Sequence, residues 1–262
     1  MATNPSLPSQ PSPGSPALQP SPEPAPLSEG QRLIDVFFAP SKVFTDLRRN
    51  ASWWAPFLIT AIVSLLFVYV VDQKVGFRKV AENQIQSQPK QADRFEHMSA
   101  DQRENAMQKQ VTGTRIFSYL FWLFVLGWYA LVAAVLLGTV KFAAGADVKY
   151  KTLLALVFYS GLAGLGKSVL AIISLLAGVS SEGFTFQNPV ATNPGYFVDH
   201  AAHPALASLL SSFDIFTFWT LALAAIGITC ISKVKRGTAF AIVFGWYAVV
   251  VLIGVGFAAA FS

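Results

Sequence analysis

The sequence predicts an all-α, polytopic membrane protein: a bundle of five transmembrane helices with a disordered Pro-rich N-terminal tail and short interfacial helices. Three observations predict it. Ile116 to Val140 contains no charged residue and is bracketed by Arg115 and Lys141. At about 1.5 Å per residue this stretch is long enough to cross a hydrocarbon core about 30 Å thick. The chain is 53% hydrophobic and 13% charged, against about 25% charged in soluble domains, and its mean hydropathy is +0.50. Four further apolar stretches, at about 55–71, 152–179, 215–231 and 238–261, are separated by polar loops.

The net charge of +5 does not point to nucleic acid. Excess Lys and Arg in a polytopic protein normally flank the spans, and no basic face with interleaved aromatics stands outside them. The single cysteine, Cys230, lies in an apolar stretch, which leaves no intrachain disulfide and no cysteine metal cluster. No cofactor is expected.

In chain order, residues 1–27 hold nine of the fifteen prolines and form the tail, too poor in buriable surface to order itself. Within it Pro8-Ser9-Gln10-Pro11 has the form of a PxxP ligand but reads as solvated tail. The tail lacks the basic start and apolar run of a secretory signal, so the first span must act as the insertion signal. Residues 28–262 form the membrane domain. Ser28-x-x-Gln31 is a capping-box pattern opening a helix, with Leu33, Ile34, Phe37 and Phe38 at helical spacing and Arg32 and Asp35 on the other face. Pro40 interrupts it, and a second short helix follows with Val43, Phe44 and Leu47 as its apolar stripe. These helices either lie in the membrane interface or pack on the ends of the spans. Pro56 is tolerated in the first turn of span one. From Asp72 to Arg115 the chain is polar and mixed in charge, with a second capping box at Ser99-x-x-Gln102, and reads as an extramembrane helical excursion. Ser180 to Ser212 carries two Asn-Pro turns and a short helix after His203-Pro204.

Loop charge sets the orientation. With the N-terminus in the cytoplasm, that side collects Arg32, Lys42, Arg48, Arg49, Lys141, Lys149, Lys151, Lys233, Lys235 and Arg236. The long first loop carries eight cations and six acidic residues, but long loops weigh little in this rule. The expectation is a cytoplasmic N-terminus, a C-terminus on the opposite side, and a bacterial inner membrane.

The run Ala39-Pro40-Ser41-Lys42-Val43-Phe44-Thr45-Asp46-Leu47-Arg48-Arg49, the Trp53-Trp54-x-Pro56 entry into span one, and Asp214-Ile215-Phe216-Thr217-Phe218-Trp219 opening span four resemble the Yip domain family, most closely its bacterial branch. The resemblance covers roughly residues 30–260. It departs from the family pattern in lacking a proline early in span three, where Tyr159-Ser160-Gly161-Leu162-Ala163-Gly164 stands, and in its longer first loop. Eukaryotic members are five-span proteins with a cytoplasmic N-terminus that associate with Rab GTPases and shape secretory membranes. The resemblance implies a non-enzymatic, integral-membrane organising or adaptor role. A bacterial member would lack prenylated Rab partners, so the identity of the protein partner is not carried over.

Candidate sites follow. Gly161-Leu162-Ala163-Gly164-Leu165-Gly166-Lys167-Ser168 satisfies the P-loop letters, but a P-loop lines a wet phosphate site beside a parallel sheet, and here apolar sequence continues on both sides. Ser160, Gly164 and Ser168 recur every four residues and suit close helix packing. Lys167 lies deep in span three, where a charge is functional or paired; it either snorkels outward or pairs with Asp214 at the mouth of span four, and together they form the candidate intramembrane polar site. Asp199, His200 and His203 form only a weak metal signal, and no catalytic pairing or metal set is assigned. The expected function is a membrane scaffold or adaptor that recruits a partner through exposed leader residues Asp35, Pro40, Phe44 and Asp46. The alternative is a small-solute or ion transporter using Lys167. Expected partners are the lipid bilayer, a protein partner, and a second copy of the chain, with no nucleic acid.

Overall fold

The computed structural model describes residues 25–180 and 182–261; residues 1–24 of the predicted tail, with the PxxP segment, lie outside the described residues. Every regular element among the described residues is helical. The leader folds as α1 (Glu29–Phe38) and α2 (Pro40–Asp46). The Ser28 hydroxyl accepts from the Gln31 amide at 3.2 Å, and the Ser28 amide donates to Gln31 Oε1 at 3.0 Å, so two of the orphan donors at the start of α1 are satisfied reciprocally. Pro40 sits in the first turn of α2, where its missing N–H is no loss.

The first span is α3 (Trp54–Lys74). Its crossing puts α4 (Phe77–Gln86), α5 (Pro89–Glu96) and the start of α6 (Ala100–Ala144) on the far side of the bundle from the leader. α6 is one continuous helix of 45 residues, roughly 67 Å long at the usual rise. Its polar first third therefore stands outside the apolar layer, opened by the Ser99–Gln102 capping box and closed by Gly145 at φ +62°, a left-handed cap that favours glycine. The third span consists of α7 (Tyr150–Gly161), a 3-10 turn at Leu162–Gly164, and α8 (Leu165–Leu176). After a far-side loop come α9 (Pro204–Ser211), α10 (Ile215–Ile231) and α11 (Arg236–Phe261).

Four helical stretches among the described residues are long and apolar enough to cross a membrane: α3, α6, α7 with α8, and α11. α9 and α10, bent by 48° across residues 212–214, make a fifth together. The centre of the bundle is α7, buried from Thr152 through Gly161. It is surrounded by α6, α10 and the leader, whose Val36, Val43, Phe44 and Leu47 are all buried in the same cluster. The leader thus packs on the bundle rather than lying free in the interface. A second cluster joins α3, α4, α8 and the far-side loop through Phe67, Val71, Val80, Ile172 and Phe184.

Among the glycines of this segment, the tightest helix approach falls at Gly161 and Gly166 rather than at Gly164. A Cβ on Gly161 would overlap the Tyr129 hydroxyl of α6, one on Gly166 would overlap the Phe216 ring of α10, and Gly164 meets Thr220 only at an ordinary 3.4 Å. The 3-10 turn is the reason: at three residues per turn it rotates the face that α8 presents relative to a continuous α-helix. Gly166→Ala should therefore destabilise the bundle by about 1–3 kcal/mol through overpacking. Gly127→Ala, where a Cβ meets nothing within 4 Å, should leave stability level or raise it by up to about 1 kcal/mol. Thermal denaturation of the two variants in detergent micelles separates the outcomes.

Candidate functional site

Two polar constellations lie inside this apolar bundle. The first locks the leader. Arg32 Nε donates to Asp46 Oδ2 at 2.8 Å, Nη2 lies 2.6 Å from the same oxygen, and Nη1 reaches Glu29 Oε1 at 3.2 Å. The Tyr159 hydroxyl of α7 donates to Glu29 Oε2 at 2.7 Å. Arg32 is 1% and Asp46 7% exposed. A guanidinium so deeply buried is tolerated because its planar fork meets two carboxylates and the set is hydrogen-bonded onward.

The helical pattern of α1 alone places Arg32 on an outward face. α2 folds back through Ala39 and Pro40 and covers that face with Asp46, which is why Arg32 is interior. The same fold corrects the expectation of exposed leader determinants: Phe44 is fully buried and Asp46 nearly so. Asp35 and Pro40 remain partly accessible, and Asp35 pairs with Lys42 at 2.9 Å. The leader's outward apolar residues are instead Ile34, 61% exposed, and Phe38, 84% exposed. Glu29, Arg32 and Tyr159 are not among the candidate site residues read from the sequence. Only the i, i+3 spacing of Glu29 and Arg32 is a local sign of them.

The second constellation centres on Asp214, which caps α10 by accepting the Phe216 and Thr217 amides on Oδ1 at 3.0 and 3.3 Å. Its Oδ2 faces Lys167 Nζ of α8 at 3.1 Å and accepts from the Thr192 hydroxyl and, at 3.4 Å, from Asn193 Nδ2. Asn193 in turn donates to Asn188 Oδ1 at 2.8 Å and accepts from the Tyr196 amide at 3.1 Å. One carboxylate therefore joins the third span, the fourth span and both Asn-Pro turns. The Gly161–Ser168 run is the end of α7, the 3-10 turn and the start of α8, with no strand beside it among the described residues, so its amides serve helices and not phosphate.

Lys167 also faces a cavity of about 600 Å³ between α3, α6 and α8, whose walls include Phe67, Val68, Phe117 and Phe121 and whose other charged lining residue is Lys109. A larger far-side cleft of about 940 Å³ is lined mainly by amides and hydroxyls and includes Asp199 and His200. Asp199 Oδ1 accepts the Ala202 and Ala201 amides at 3.1 and 2.8 Å. These bonds hold its carboxyl below the usual carboxylate range and make it a turn-forming group. No set of three metal-holding side chains occurs among the described residues.

The Yip1 domain model matches residues 34–258. The chain belongs to the Yip1 domain family. It is similar to Membrane protein YknW of Bacillus subtilis (strain 168), at 23% identity over 232 residues covering 87% of each chain. No solved structure matches it. As a Yip1-family chain with this set of helices it is a multi-pass integral membrane protein. The matched region contains Asp46, Tyr159, Lys167 and Asp214 and begins just after Glu29 and Arg32.

Two outcomes check the locks. Arg32→Met leaves Asp46 buried without its partner and should cost about 3–5 kcal/mol, releasing the leader to limited proteolysis between α2 and α3; adding Asp46→Leu should recover much of that loss. Asp214→Asn keeps a good helix cap, so its melting temperature in detergent should exceed that of Asp214→Ala by the equivalent of about 1 kcal/mol.

Proposed function

We propose that this Yip1-family protein is a non-enzymatic integral-membrane scaffold or adaptor that recruits a protein partner through its leader. The leader would lie in the cytoplasm and the C-terminus across a bacterial inner membrane. The observation that carries this reading is the network in which Arg32 ties α1 to Asp46 of α2 and Glu29 ties α1 to Tyr159 of α7, holding the leader on the bundle with Ile34 and Phe38 exposed. These two residues are four apart and share one face of α1, bordered by the Asp35–Lys42 pair. Apolar anchors held rigidly have already lost the ordering entropy that binding otherwise demands. The orientation is supported by the ten Lys and Arg residues that fall on the leader side, where the short loops count most. The bacterial relative supports the membrane assignment.

Photocrosslinking from position 34 or 38 in native membranes should capture a reproducible protein partner. Phe38→Ser should weaken that capture by about tenfold or more, as expected of a central apolar anchor, without changing the membrane level of the protein. Capture of lipid alone from both positions would overturn the adaptor reading and make α1 an interfacial anchor.

A second reading, movement of a small solute or ion past Lys167, draws on one observation: the Lys167 side chain faces the cavity. In that case Lys167→Leu abolishes the flux at unchanged protein level, and an unchanged flux refutes it.

A further inference from the structure

We propose that the cavity between α3, α6 and α8 holds an anionic phospholipid taken laterally from the surrounding bilayer. Its walls suit an acyl chain. Phe67 and Val68 of α3 form one side, and Phe117 and Phe121 of α6 the other. Phe117 and Phe121 are themselves well exposed, so the cavity wall runs without a break into the surface that α6 shows to lipid. Its volume of about 600 Å³ lies within the range of ligand sites, about 300–1,000 Å³, and accommodates the glycerol region and part of one chain while the remainder stays in the bilayer.

The polar lining fixes the sign of the headgroup. It contains two lysines, Lys109 and Lys167, and no carboxylate; the rest is neutral, including Gln84, Gln110 and Gln187. The two lysines stand at different depths and differ in pairing. Lys109 belongs to the polar first third of α6, ahead of the apolar run that begins at Ile116, and so stands at the water-facing mouth. Lys167 is nine residues inside the end of α8 at Leu176, roughly 13 Å along the helix. Its charge is met by Asp214, yet an ammonium has three N–H donors, and those not given to Asp214 remain for a ligand. A phospholipid presents its groups in the same order, with an anionic phosphate at the surface and neutral ester carbonyls below it. Lys109 meets the charge, and Lys167 donates to the carbonyls without adding a second unbalanced charge at depth.

The test uses the full-length protein extracted in a mild detergent with equal amounts of phosphatidylglycerol and phosphatidylcholine, and native mass spectrometry to count retained lipid. One phosphatidylglycerol per chain should be retained in preference to phosphatidylcholine. Lys109→Gln, an exposed change that leaves packing alone, should lower that preference roughly fivefold, the factor one lysine near an anionic surface supplies. Ser64→Phe, which fills the cavity from α3, should remove retention of both lipids. Lys74→Gln, on an exposed far-side lysine outside the cavity, should change neither. Equal retention of the two lipids, an unaltered preference in Lys109→Gln, or an equal fall in Lys74→Gln would overturn the site. Displacement of the retained lipid by glycerol 3-phosphate, which has the headgroup chemistry and no chains, would overturn it in favour of a soluble phosphate ligand.

Discussion

Inside a bilayer a charged side chain has no water to return to, so each charge buried among spans must find its partner within the protein. That constraint organises this bundle. On the leader side the interior charge is Arg32, answered by Asp46 and Glu29 and, through Glu29, by Tyr159. On the far side it is Lys167, answered by Asp214. Each set binds segments distant in sequence, because the polar groups available to satisfy a buried charge belong to whichever elements pack around it. The leader, the far-side loop and the fourth span are thereby held to the third span by directional bonds, in a setting where apolar contact between helices has little advantage over contact with lipid.

The leader shows how this changes the meaning of a surface. α2 buries Val43, Phe44 and Leu47 against the bundle, while α1 keeps Ile34 and Phe38 outside. A short helix with apolar residues on two faces would roll or detach if only hydrophobic burial fixed it. The Arg32 fork removes that freedom, since rotating α1 would pull the guanidinium away from Asp46 and leave that buried carboxylate without its partner. The exposed apolar strip is consequently a fixed feature of the molecule.

What was legible in the sequence was local or written in scarcity. Ser28 with Gln31 and Ser99 with Gln102 are capping boxes whose geometry depends on four consecutive residues, and both form. The pairing of Lys167 with Asp214 stood beside outward snorkelling as one of two readings, because so few charges occur near the spans that each had few available partners. Arg32 was not legible in this way. Its position on α1 looks outward until α2 folds over it, and its network closes through Tyr159, 130 residues from Glu29. Phe44 and Asp46 were misplaced for the same reason, since amphipathic spacing tells which residues share a face but not which face meets protein and which meets the open side. The glycines of tightest packing were missed for a different cause. A four-residue repeat assumes a continuous α-helix, and the 3-10 turn at Leu162–Gly164 shifted the close contacts to Gly161 and Gly166.

That turn also explains why the two locks sit where they do. Tyr159 precedes it and Lys167 follows it, so one constellation grips the third span on each side of its irregular segment. A 3-10 turn has poorer hydrogen-bond geometry than the α-helix around it and is the place where α7 and α8 would most easily rotate against each other. Such a rotation would drive Gly161 from its seat under Tyr129 and Gly166 from under Phe216, contacts that leave no room even for a methyl group. With Tyr159 tied to the leader and Lys167 tied to α10, neither half turns without breaking a hydrogen bond or ion pair that lipid cannot replace. The polar locks therefore fix the rotational register on which the tight helix packing depends, and the packing in turn keeps Arg32 and Asp214 buried and strengthens their bonds.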